Sequence, residues 1–198
     1  MVILEAVNMI FINQLDYPEL EFVHNTKAET APPELTNVAR SGCGMCCLCM
    51  IVGNLTVHEL PIAECLRISL EEDAHPGYGT RMAILGPVIA ERYGLTFEHT
   101  RSLEVLKAHL QKGGMAIANV AGNVNGRKGL FSPDGHYIVV TAWDGERMCV
   151  LDPYLYDGKF EEEGRKGKVA VDTPFLYCTG EDLLEDSKQF FLFARKKP

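Results

Sequence analysis

Hydrophobic positions change their spacing about halfway along the chain. From Cys43 to about Val52 the residues are almost uniformly apolar, a run long enough for a buried helix, and Gly53-Asn54 supplies its stop. The segments VHELPIAECLRISLEEDA (57–74) and GTRMAILGPVIAERYGL (79–95) carry apolar residues three and four apart, which predicts two more helices. Pro61 falls near the start of the first, and Gly94 closes the second. A fourth helix, SLEVLKAHLQK (102–112), opens on Ser102 as its N-cap, carries Glu104 in its first turn and ends at Gly113-Gly114.

Beyond Gly114 the apolar residues become β-branched and aromatic, in short runs between Gly, Asp, Asn and Pro. GMAIANVAG, HYIVVTAW, RMCVLD and KQFFLFAR read as strands, with GEDLLED as a short helical turn before the last. Near the N-terminus, NMIFINQ reads as a further strand, and residues 15–38, interrupted by Pro18, Pro32 and Pro33, read as mostly loop. The glycine-rich GNVNGRKGLFSPDG is one long loop, of the kind that often rims a functional site. Helices in front and strands behind predict an α+β fold. The 198 residues suffice for one good core and are short for two, so a single domain over 1–198 is expected.

Composition narrows the partners. Nineteen Lys and Arg against 27 Asp and Glu give a net charge of −8, and no stretch gathers enough positive charge to neutralise several phosphates, which argues against nucleic acid. The 46% hydrophobic content is that of a globular chain, and no run reaches membrane-spanning length. The opening MVILEAVNMIFINQ carries Glu5 and no Lys or Arg, unlike the charged start of a secretory signal. Seven cysteines, four of them between positions 43 and 49, do not make a disulfide framework. A reducing, cytoplasmic setting is therefore expected.

The cysteine cluster ARSGCGMCCLCMIVGN (39–54) admits three chemistries. Cys43 and Cys46 have the gap of a zinc knuckle, but the second pair is missing, and Cys46, Cys47 and Cys49 point to different sides of one helix. CGMC at a helix start resembles a thioredoxin-type redox motif, yet the polar, proline-broken segment before it is not the buried strand such a motif follows. The third chemistry is a single nucleophile. Ser41 as N-cap places Cys43 in the first helical turn, where free N–H groups and the helix dipole stabilise a thiolate. The other six, Cys46, Cys47, Cys49, Cys65, Cys149 and Cys178, read as small buried hydrophobes.

A thiolate nucleophile needs an imidazole, a group to orient it, and donors for an oxyanion. Among the six histidines, His24 and His75 lie in polar loops, and His58, His99 and His109 flank or sit in ordinary segments as surface residues. His136 instead opens an apolar strand directly after Gly135, and Asp152 ends the returning strand before Pro153. Gln14 follows the strand MIFIN and offers a side-chain amide donor.

Taken in order, a strand ending in Gln14, the helix start Gly42-Cys43-Gly44, Gly135-His136-Tyr137 and Asp152-Pro153 after a hairpin resemble cysteine peptidase family 39, over roughly residues 8–155. These are papain-like enzymes best known as double-glycine leader peptidases of bacteriocin exporters. The family usually has proline where this chain has Met45. The resemblance implies a papain-like fold, a helical N-terminal half packed on an antiparallel sheet from the C-terminal half. It implies a stand-alone enzyme with Cys43 as nucleophile, His136 as general base and acid, Asp152 as its orienting group and Gln14 as the oxyanion donor. The substrate would be a peptide or amide, with no cofactor and no metal. An acyltransferase on the same fold and a thiol-disulfide oxidoreductase using Cys43 and Cys46 are the alternatives.

The hairpin between His136 and Asp152 carries a geometric expectation of its own. A two-residue turn at Asp144-Gly145 would set the two side chains on opposite faces of the sheet. A loop Trp143-Asp144-Gly145 with Gly145 at positive φ pairs Ala142 with Glu146 and puts His136 directly across from Asp152, with Cβ atoms about 5 Å apart.

Overall fold

The computed structural model describes residues 9–21, 37–75 and 79–196. A 3₁₀ turn at Gln14–Asp16 precedes four helices, α1 (Val38–Ser41), α2 (Cys43–Leu55), α3 (Ile62–Glu71) and α4 (Met82–Arg92). Strand β1 (Leu95–Thr100) and helix α5 (Leu103–Gln111) follow, then β2 (Met115–Val120), β3 (His136–Trp143), β4 (Arg147–Leu151), β5 (Ala170–Asp172), β6 (Phe175–Thr179), α6 (Gly180–Asp186) and β7 (Ser187–Arg195).

The strands form one antiparallel sheet in the order β1-β7-β2-β3-β4-β6-β5. Residues alternate between its two faces as a period of two requires. Met115, Ile117, Val139, Phe191 and Phe193 pack with α2, α3 and α4, whereas Ala116, Ala118, Ile138, Val140, Phe190 and Leu192 pack with α5 and α6. Helix α2 is apolar on every side, and its residues from Gly44 to Val52 are all buried, so it runs through the core rather than over it. Ser102 caps α5 through the N–H of Val105, as the sequence predicts.

Several expectations need correction. Residues 9–13 join no strand; the backbone of Ile10 bonds both ends of the Asn54 amide instead, and the N–H of Gln14 after them donates to the carbonyl of Pro153. Asn8 and residues 1–7 lie outside the described residues, as does His24. Strands β1, β5 and β6 have no counterpart in the sequence reading. The helices lie on both faces of the sheet, α5 and α6 covering the face opposite α2. His75 follows α3 in a loop but is fully buried, and His109 is half-buried, its Nε2 bonded to the carbonyls of Met115 and Phe193.

Candidate active site

Cys43 is the first residue of α2, but Ser41 is not its cap. The short helix α1 ends at Ser41, whose hydroxyl turns back to the carbonyl of Asn37, and Gly42 is the N-cap without a side-chain hydrogen bond. The cap role falls to Asn37 one turn earlier, its side chain accepting the N–H of Arg40. The two glycines flanking Cys43 answer to space rather than to dihedral freedom. A Cβ at Gly42 would stand 2.5 Å from the carbonyl oxygen of Val38, and one at Gly44 would stand 2.5 Å from Cβ of Thr80. The α1–α2 kink and the packing of Thr80 on the first turn thus fix where the thiol sits, half-buried at the helix start.

His136 reaches this thiol because of an irregularity in the hairpin. Near the tip, Trp143 pairs with Met148 and Ala142 with Cys149; continued, that register would put Asp152 across from Val139 and on the face opposite His136. A one-residue shift at Thr141 changes it, and beyond the shift Val140 pairs with Val150 and Val139 with Leu151. Extended one step past Leu151, this register sets Asp152 across from Ile138, on the same face as His136 and two residues along. Gly145 does have positive φ, +105°, with the carboxylate of Asp144 accepting the N–H groups of Glu146 and Arg147 at the tip. The bulge that aligns the pair, however, sits at Thr141 and not at Gly145, and His136 meets Asp152 diagonally rather than directly.

The contact itself is close, with His136 Nε2 2.8 Å from Asp152 Oδ1. That leaves Nδ1 of the ring free for the Cys43 thiol, which stands near enough to His136 for the two groups to act on each other's charge. Burial alone would push the thiol up, but the His136 charge and hydrogen bond, with the backbone N–H groups of Tyr137 and Gly44, bring Cys43 below the ordinary thiol range. Burial would likewise lower the imidazole, and the charges and hydrogen bonds of Asp152 and Cys43 overcome it, raising His136 to about 9. Asp152 is completely buried; that would raise its carboxyl, yet the Lys159 and His136 cations hold it well below the usual carboxylate range. The three groups thus favour one another's charged forms, the imidazolium lowering the thiol and the carboxylate raising the imidazole.

Sequence reasoning missed Lys159. Its ammonium lies 2.7 Å from Asp152 Oδ2 and also donates to the carbonyl of Tyr154 at 2.7 Å, with 2% of the residue exposed. In the sequence it stands in YDGKF, which reads as a turn with an exposed lysine; the one available signal is its place seven residues after Asp152 in an aromatic segment.

Gln14 is 2% exposed, its amide nitrogen donating to the carbonyl of Ala39 at 2.8 Å and its backbone N–H to that of Pro153 at 2.7 Å. It therefore bridges the segment leading into Cys43 and the segment leaving Asp152. The remaining cysteines follow the bland reading in all but one case. Cys46, Cys47, Cys49, Cys65 and Cys178 are buried, and burial pushes the first three thiols well above their ordinary value and Cys178 to about 12. Cys149 is half-buried. Among the described residues no three His, Cys, Asp or Glu side chains are grouped to hold a metal ion, and no helix is long and apolar enough to cross a membrane.

No family model matches the sequence, and no curated protein matches it. Solved structures do. The peptidase domain of Streptococcus ComA, a bi-functional ABC transporter involved in quorum sensing, aligns with a TM-score of 0.52 at 14% identity, covering 77% of this chain and 90% of that one. A protein from Bacillus anthracis described as a C39-like peptidase aligns with a TM-score of 0.58 at 14% identity, covering 96% of both chains. The likeness extends past residue 155, the end of the span on which the sequence resemblance rests. The chain has the mixed helix and antiparallel-sheet architecture of the papain-like C39 peptidase domains.

Proposed function

We propose that the protein is a cysteine peptidase or amide hydrolase in which Cys43, His136 and Asp152 form the catalytic triad. The observation that carries this reading is the place of the Cys43 thiol, at the first residue of α2 and within electrostatic reach of His136, whose Nε2 is bonded at 2.8 Å to the fully buried Asp152. In the first half-reaction the Cys43 thiolate attacks the substrate carbonyl, and the oxyanion formed takes the electron pair of the C=O bond. Collapse breaks the C–N bond as Nδ1 of the imidazolium gives its proton to the leaving amine, and a thioester remains. In the second, the neutral imidazole takes a proton from water as it attacks the thioester, and the released thiolate recovers its imidazolium partner. Asp152 stays ionised throughout, fixing the ring orientation through Nε2.

The oxyanion donors would be the backbone N–H of Cys43, in the first turn of α2, and the Gln14 amide. One N–H of that amide is engaged by Ala39, which fixes its orientation and leaves the second for substrate. Peptide substrates follow by analogy from the fold likeness.

The test is selective alkylation. Iodoacetamide at pH 6, followed by peptide mass mapping, should modify Cys43 first, because its thiol is lowered whereas those of Cys46, Cys47, Cys49, Cys149 and Cys178 are raised and Cys65 is buried. Cys43→Ser should abolish amide or peptide hydrolysis, whereas Cys46→Ser should retain most of it. Equal loss in both variants would refute the assignment, and a reversible Cys43–Cys46 disulfide with redox activity would favour the oxidoreductase instead.

A further inference from the structure

We infer that Lys159 is a fourth, positioning member of the site: its buried ammonium, held against Asp152 Oδ2, balances the charge of the Cys43–His136–Asp152 line and so makes the thiolate accessible at neutral pH. The inference rests on the reading of Cys43 as nucleophile and goes beyond it.

The geometry is specific. Asp152 receives three donors, His136 Nε2 at 2.8 Å and the Tyr154 N–H at 2.9 Å on Oδ1, and Lys159 Nζ at 2.7 Å on Oδ2. The lysine stem lies among the rings of Tyr154, Tyr156 and Phe160, with Nζ 5.3, 5.7 and 5.7 Å from their centroids, an arrangement that favours a cation. A lysine so deeply buried is costly unless its charge serves a partner. Here the partner is the carboxylate behind the imidazole.

Charge balance shows what the lysine does. A thiolate, an imidazolium, a carboxylate and an ammonium sum to zero in a buried site. Without the ammonium, the same state carries one net negative charge, and protonating the thiol is the cheapest way to remove it. The other titratable groups facing the site do not substitute for it. Cys46 and Cys47 are buried and stay as thiols, and Tyr137, raised to about 12, stays neutral. On the loop side Arg165 and Glu162 act on Lys159 with opposite signs and pair with each other at 3.0 Å. Lys159 is thus the positive charge that offsets Asp152 while His136 offsets Cys43.

The experiment follows the pH dependence of Cys43 carboxamidomethylation, read by mass mapping, in the wild type and in Lys159→Met, Lys159→Gln and Lys159→Arg. Gln retains a donor for Oδ2 but no charge; Arg retains the charge. The acid limb of the reactivity profile should move up by about one pH unit in Met and Gln, the scale of one unit charge acting across about 10 Å of protein. Arg should restore most of the wild-type profile. Met and Gln variants that fold, are less stable and keep the wild-type limb would overturn the inference. Failure of both neutral variants to fold while Arg folds would also overturn it, since the lysine would then serve the fold alone. A wild-type Cys43 with no depressed acid limb at all would mark failure of the nucleophile reading itself.

Discussion

Replacing Asp152 by Asn isolates the carboxylate charge with little change in shape. Asp152 is completely buried between two cations, His136 at 2.8 Å and Lys159 at 2.7 Å. Removing one partner of a buried ion pair typically costs 3–5 kcal/mol; because the Asn carbonyl can still accept from Lys159, a loss of about 3 kcal/mol at pH 7 is expected. The imidazole should respond as well. Burial acts to lower it and the carboxylate is its largest opposing influence, so His136 should fall from about 9 to about 6.5 or below. At pH 7.5 its charged fraction would drop from nearly complete to about one tenth or less. The Cys43 thiolate would lose its counter-ion, and kcat/KM should fall by about a hundredfold or more. Urea unfolding measures the first effect, and the pH–rate profile of thiol alkylation and of hydrolysis measures the second. A variant with the wild-type unfolding midpoint and an unshifted profile would refute the reasoning, whichever substrate is used.

Three further outcomes are expected. Gln14→Ala should lower kcat by about a hundredfold with KM nearly unchanged, the usual cost of one oxyanion donor, and an unchanged rate would move that role elsewhere. Asp186, fully buried, accepts from Arg127 at 2.8 Å and from the backbone of Leu130 at 2.9 Å and Phe131 at 3.3 Å; Asp186→Ala should cost about 3 kcal/mol and abolish hydrogen-exchange protection at those two amides. Because His136 is raised from 6.5 to about 9, its stabilising contribution is complete below pH 6.5 and is lost as pH rises through about 9. The difference in unfolding free energy between wild type and His136→Gln should therefore shrink by about 3 kcal/mol between pH 6 and pH 10, and a constant difference would contradict it.

How much of this was legible depended on the range of the forces involved. Helices α2 to α5 and strands β2, β3, β4 and β7 follow from local periodicity, and the Ser102 cap and the positive φ of Gly145 from single residues. Cys43, His136 and Asp152 stood out because each sits at an element boundary next to Gly or Pro. The shift at Thr141 was not legible, since nothing in HYIVVTAW marks one residue as extra; its hydroxyl bonds the Cys149 carbonyl across the hairpin only once both strands are placed. Strand β5 is not legible because it is only three exposed residues long, and β1 because four of the six residues of LTFEHT are polar and the segment owes its strand state to β7. Lys159 was hidden for the same reason: a lysine's burial is decided by the partner it meets in space.

The place of β7 in the sheet has a consequence for how the fold is reached. This strand, Ser187–Arg195, lies between β1 and β2, and β1 joins the sheet through it alone among the described residues, Leu95 pairing with Arg195 and Thr100 with Phe190. During synthesis the ribosome delivers β1 and β2 long before the strand that belongs between them, so β2 waits with one hydrogen-bonding edge open and β1 waits with no partner strand. Pairings so distant along the chain also slow folding, because a large loop must close before they stabilise anything. Asp186, which ties down the loop entering His136, arrives in the same late segment. The growing polypeptide therefore carries Cys43, the proposed nucleophile, for most of its synthesis without a formed site, and any hydrolytic activity should appear only after β7 has left the exit tunnel.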